Sequence, residues 1–149
     1  MTPAPLDLEV EGAERHGLDP AALRALAGAV LEAEGVEGPC ALGIAFAGEG
    51  EMRALNAEHR DLDEVTDVLA FPLDGTDELP PGLERQLGDV VVCFEQAARQ
   101  ASEAGVEIRA EVRTLVVHGL LHLLGHDHEA DRGEMLARQA ALIAVLPEL

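Results

Sequence analysis

From Ile108 to Leu124 the chain places apolar residues on nearly every side of a helix-length segment and sets two histidines, His118 and His122, into it. A helix that is apolar all round has to be buried, so the rest of the chain must supply layers on more than one side of it. Imidazoles carried into such an interior cost free energy unless they are hydrogen-bonded or hold a ligand. One segment thus constrains both the architecture and the chemistry.

Apolar periodicity outlines the other elements. Leu6, Leu8 and Val10 alternate with Asp7 and Glu9, the pattern of a half-buried strand. Asp19-Pro20 offers an N-cap followed by proline at the first helical position, and the apolar spacing from Leu23 to Leu31 predicts a helix over about Pro20–Glu34, stopped by Gly35. Further strands are expected over Ala41–Phe46, Asp67–Leu73 and Asp89–Cys93, the last buried on both faces. Gly48 and Gly50 lead into a short helical piece containing Met52, Leu55 and Asn56, while Asp74-Gly75 and Pro80-Pro81-Gly82 mark a loop. Helices are expected over Glu95–Glu103 and Ala130–Leu146. With 149 residues, two independent domains would each have little core to bury. The expected fold is therefore one α+β domain over residues 1–149, with about four strands in a mixed sheet covered by helices and the buried helix at its centre.

His118 and His122 stand four residues apart and leave one face of a helix, one above the other. Gly125 permits the positive φ that ends the helix and turns the chain back, which lets His128 approach the same point. Imidazoles at i, i+4 and i+10 with glycine at i+7 have the ligand spacing of the metzincin zinc site, and three neutral nitrogens leave a fourth position for water. Ordinary packing accounts poorly for three histidines placed this way, whereas the lone His16 is read as a core or surface residue. The peptidase analogy stops at residue 119. That chemistry takes its general base from a Glu directly after the first histidine, and Gly119 stands there instead.

Charge sets a second limit. The chain has 29 acidic residues against 10 basic ones, all Arg, for a net charge of −19. Such a field repels phosphate backbones at long range and argues against a protein that coats nucleic acid nonspecifically, while leaving room for a local Arg cluster or a partner-supplied surface to present RNA to a site. With no Trp or Tyr and three Phe, base-stacking platforms are also poorly supplied. The stretch Asp61 to Leu79, with seven acids and no Arg, reads as a solvated loop. Cys40 and Cys93 lack the spacing of a disulfide framework or thiolate site and are expected to be small buried apolar residues. No run approaches the roughly 18 apolar residues of a membrane span, and the start carries no export signal, so a cytoplasmic location without a membrane partner is expected.

Three segments together resemble the YbeY endoribonuclease family, bacterial ribosomal-RNA maturation factors. The signature HGxLHLxGYDH is met by His118-Gly119-Leu120-Leu121-His122-Leu123-Leu124-Gly125-His126-Asp127-His128. LNxxYRxxDxPTDVLSFP is met by Leu55-Asn56-Ala57-Glu58-His59-Arg60 and Asp63 to Pro72, and LGDIVI by Leu87 to Val92. The departures are His59 and His126 for Tyr, Val65 for Pro and Ala70 for Ser. The resemblance implies one Zn2+ per chain on His118, His122 and His128, with Arg60 as the catalytic arginine and no nucleotide cofactor. It also implies single-strand-specific RNA cleavage in 3′-end maturation of small-subunit ribosomal RNA and in ribosome quality control, beside ribosomal proteins or other assembly factors. A guanidinium can grip a phosphate through two parallel hydrogen bonds and offset charge developing at phosphorus. Asp67, Asp89 and Asp127 are acidic and close to motif residues, but turn or capping roles are the favoured reading for each. His126, at the family's Tyr position, suggests packing or hydrogen bonding. A noncatalytic ribosome-assembly factor with a structural metal is the alternative. It would need a fourth protein ligand, commonly Cys, and no Cys lies near the triplet.

Overall fold

The computed structural model describes residues 5–74 and 79–149, so Gly75 of the expected turn lies outside the described residues. Strand β1 (Leu6–Glu11) buries Leu8 and exposes Asp7 and Glu9, as its alternation predicts. After a 3-10 turn at Glu14–His16, helix α1 (Pro20–Ala33) is capped by Asp19, whose Oδ1 accepts the Ala21 N–H at 2.9 Å. Strand β2 (Cys40–Ala47), helix α2 (Glu49–Arg60), strands β3 (Val68–Pro72) and β4 (Arg85–Cys93), and helices α3 (Phe94–Ala104), α4 (Ile108–Leu123) and α5 (Glu134–Ile143) follow. Helix α2 is longer than the short piece expected. It buries only Met52 and Asn56, too narrow a stripe to give a strong periodic signal.

The four strands form one mixed sheet in the order β1-β2-β4-β3, with β1, β2 and β4 parallel and β3 antiparallel to β4. Parallel neighbours need crossovers, which α1 supplies between β1 and β2, and α2 with β3 between β2 and β4. The last strand begins at Arg85 instead of Asp89, because Arg85 and Gln86 pair with Cys40 and Ala41 before an irregularity in the ladder. Polar Gln86 and Gly88 hide that extension from an apolar pattern. Val90 and Val92 pack into the main core, while Val91 and Cys93 join Met52, Leu69 and Ala47 in a second cluster. Both faces of β4 are thus buried over Val90–Cys93, while Asp89, expected to belong to the buried stretch, is exposed. Helical cover is less complete than expected, since Asp7, Glu9 and Asp89 are exposed along the β1 end of the second face.

Helix α4 runs through the main core with Val112, Val116, Val117, Leu121 and Leu123 fully buried. Each such side chain contributes on the order of 1.5–3 kcal/mol relative to exposure. Helix α5 is shorter than the expected Ala130–Leu146. Asp131 accepts the N–H groups of Gly133 and Met135 and so delays its start, and the Arg113 guanidinium donates to the carbonyls of Ile143, its last residue, and of Leu146 and Pro147 beyond its end. Cys40 and Cys93 are buried free thiols. No described helix is long and apolar enough to cross a membrane.

Candidate metal centre and cleft

Helix α4 meets strand β4 in close contact at Gly119. A Cβ on Gly119 would stand 2.5 Å from Cγ1 of Val90, so the position next to the first histidine has no room for any side chain. The residue that breaks the peptidase pattern is therefore the one that lets the helix lie directly on the sheet, with His118 and His122 carried to the edge of the core.

The turn after α4 closes as its glycine predicts. Gly125 adopts φ 96°, its N–H bonds the His122 carbonyl at 3.0 Å, and the His126 N–H bonds the Leu121 carbonyl at 3.0 Å. That pair of bonds is a Schellman ending. Asp127 shapes the return: its carbonyl accepts from Ala130 and Asp131, and its Oδ1 accepts the Glu129 N–H at 3.0 Å. His128 then faces the helix, with ring centroids of the three histidines 4.8, 5.0 and 5.2 Å apart.

One ligand atom from each of His118, His122 and His128 lies within 4.8 Å of the others. His128 Nδ1 is 3.2 Å from His122 Nε2, close to the ~3.3 Å separating two nitrogens held at about 2.0–2.1 Å on a tetrahedral ion. Burial pushes the His122 pKa below its ordinary value, and the neighbouring His118 and His128 push it the same way, against weaker opposition from Asp127 and a hydrogen bond with the His126 backbone. The neutral imidazole that results is the form that binds metal. Donor type and spacing fit a divalent ion of the zinc kind. The outer nitrogen of His118, Nδ1, is 2.7 Å from Oε1 of Gln139 on α5.

These histidines open into a cleft of about 570 Å³ bounded by Thr66 to Ala70 and Pro72 on one side and by Asp127 to Glu129 on the other, with Arg60 also lining it. Arg60 ends α2, where Asp61 turns left-handed at φ 56° and closes the helix. It is the one arginine among the described residues lining the cleft, and it faces Glu129 at 3.8 Å. Elsewhere arginines fasten the fold: Arg15, Arg24, Arg109, Arg113 and Arg138 each donate to backbone carbonyls.

Of the three aspartates, Asp67 and Asp127 line the cleft and Asp89 does not. Asp67 holds the start of β3, accepting from Val68 N–H at 2.8 Å and from Gln100 Nε2 at 3.1 Å. Asp127 serves the turn, and Asp89 lies in a trough on the other face of the sheet. His126 Nε2 meets Glu34 Oε1 at 2.9 Å, and Glu34 is also paired with Arg138 at 2.7 Å. His59 meets Phe71 edge-on, and His16 stacks on Phe94 at 4.0 Å. Gln139 carries no signal in the sequence, since it lies outside the motif segments and is one polar residue on an amphipathic helix.

Comparison with known proteins gives a consistent picture. The family described as Endoribonuclease YbeY matches residues 11–146. An Alkalilimnicola ehrlichii protein named Endoribonuclease YbeY is 46% identical over 131 residues, 84% of this chain and 76% of the relative. A Roseiflexus protein of the same name is 35% identical over 147 residues, 95% and 92% of the two chains. The solution structure of a Thermotoga maritima protein aligns with a TM-score of 0.59 at 26% identity, covering 91% of this chain and 86% of that one.

Proposed function

The chain belongs to the Endoribonuclease YbeY family, and from that premise we propose that it cleaves phosphodiester bonds of single-stranded RNA in the cleft beside its histidine triplet. The observation that carries this reading is the convergence of three imidazoles in a cleft that also holds one arginine. His118, His122 and His128 would hold one Zn2+ per chain. That ion, when bound, supplies a Lewis acid and a water of lowered pKa.

The chain's own residues set the rest of the chemistry. Arg60 takes the phosphate, its fork of N–H groups matching two phosphoryl oxygens and neutralising charge as the phosphorus becomes five-coordinate. Its pairing with Glu129 is long and solvated, so an incoming phosphate displaces the carboxylate at little cost. Gly119 leaves no acid beside the first histidine. Asp67 lines the cleft, and hydrogen bonds to both of its carboxylate oxygens fix its orientation at the start of β3.

The biological substrate in this reading is the single-stranded 3′ region of small-subunit ribosomal RNA. Ribosomal proteins are matched partners, because their basic surfaces complement a chain of net charge −19. Metal analysis of purified protein, combined with cleavage assays on free RNA and on small ribosomal subunits with and without chelator, tests the proposal. About one zinc per chain is expected, with cleavage lost on chelation and restored by zinc. Full cleavage by metal-stripped protein would overturn it.

A further inference from the structure

We propose that Gln139 is a positioning residue of the metal centre, its side-chain oxygen fixing His118 as the Nδ1–H tautomer and leaving the Nε2 lone pair for the ion. This rests on the reading that the triplet holds a metal. The 2.7 Å contact between His118 Nδ1 and Gln139 Oε1 can be made in two ways. If the amide oxygen accepts, Nδ1 carries the proton and Nε2 is a free donor atom. If the amide were turned so that its nitrogen donated, Nε2 would carry the proton and could not bind metal. Only the first arrangement leaves all three histidines competent, and a carbonyl partner on the outer nitrogen is the usual way a ligand histidine is oriented.

The scaffold behind Gln139 is built to hold it still. Asp131, just before α5, accepts the N–H groups of Gly133 and Met135, and Met135 is fully buried one turn before Gln139. The preceding residue, Arg138, binds Glu34 and the Ala33 carbonyl, and Glu34 in turn meets His126 on the turn that delivers His128. Consecutive residues of one helix therefore support the centre from two directions, Gln139 directly on His118 and Arg138 through Glu34 on the returning turn.

The test uses Q139L, which removes the acceptor at similar size, and Q139E, which keeps an acceptor. Zinc affinity is measured by competition with a chromophoric chelator, and the His118 ring tautomer by 15N NMR of the metal-free protein. Q139L is expected to bind zinc about 10–100-fold more weakly while keeping the melting temperature of the metal-free wild type, and Q139E is expected to restore affinity. The wild-type ring is expected to be the Nδ1–H form, and Q139L a mixture. Wild-type affinity in Q139L, or a loss that Q139E fails to rescue, overturns the proposal. So does an Nε2–H tautomer in the wild type, a result that needs no variant to fold. If the wild type binds no zinc, the reading of the triplet fails by itself, and the tautomer measurement still decides what Gln139 does.

Discussion

His118 and Arg60 line one cleft, yet they are held in opposite ways. His118 sits on α4, a helix buried on nearly all sides, and its ring is hydrogen-bonded at 2.7 Å to α5. Arg60 ends α2, which buries two residues, and it meets Glu129 at 3.8 Å with the side chains 46% and 71% exposed. The difference matches the roles proposed for the two groups. Metal ligands must hold distances to a few tenths of an ångström, which only a packed and hydrogen-bonded scaffold supplies. A cation that collects phosphate acts over several ångströms and works from a solvated rim, where it can exchange one anion for another.

The sharpest way to break this contrast is H122A, which should empty the centre and take cleavage below detection while RNA binding at the Arg60 rim persists, read by metal analysis and gel shift. Full occupancy in a variant with Ala at all three histidines would put the ion elsewhere. R60E should do the reverse: metal content and melting temperature stay, and cleavage falls by a factor on the order of a hundred or more, the usual cost of removing one positioned charge at a phosphoryl transition state. Wild-type cleavage in R60E would return Arg60 to the ordinary surface.

Two smaller effects sharpen the same line. G119A pushes a methyl group into Val90, and overpacking of this kind should lower stability by about 1–3 kcal/mol in urea denaturation, with weaker zinc binding because the displaced helix carries two ligands. An unchanged midpoint would mean that α4 stands off β4. E129Q removes the carboxylate that competes for Arg60 and should tighten RNA binding a few-fold, within the ~1 kcal/mol of an exposed ion pair, with the gain fading as salt rises. Weaker binding by E129Q would assign Glu129 a role in holding substrate.

The packed side of the cleft was far more legible in the sequence than the rim. Continuous apolar character announced α4, and the histidine spacing with Gly125 announced the turn, because both are local consequences of helical geometry. The double burial of Val90–Cys93 was visible for the same reason, although Asp89 at the start of that run is exposed. Arg60 stood out only through the motif around it, since an exposed arginine has no pattern of its own. Gln139 was invisible because its meaning lies in a contact across 21 residues of chain. The limits of α5 were missed because the apolar pattern runs on through Leu146, while Asp131 and Arg113 decide where the hydrogen-bonded helix starts and stops. Composition gives the net charge of −19, and it could not show that half of the arginines donate to backbone carbonyls.

The placement of Arg138 and Gln139 on α5, downstream of every histidine, also separates the donor atoms from their neighbours along the chain. Gln139 reaches back to His118 and Arg138 reaches Glu34, which meets His126. A cut in the loop before Glu134 would therefore leave all three histidines on one fragment and both of those side chains on the other.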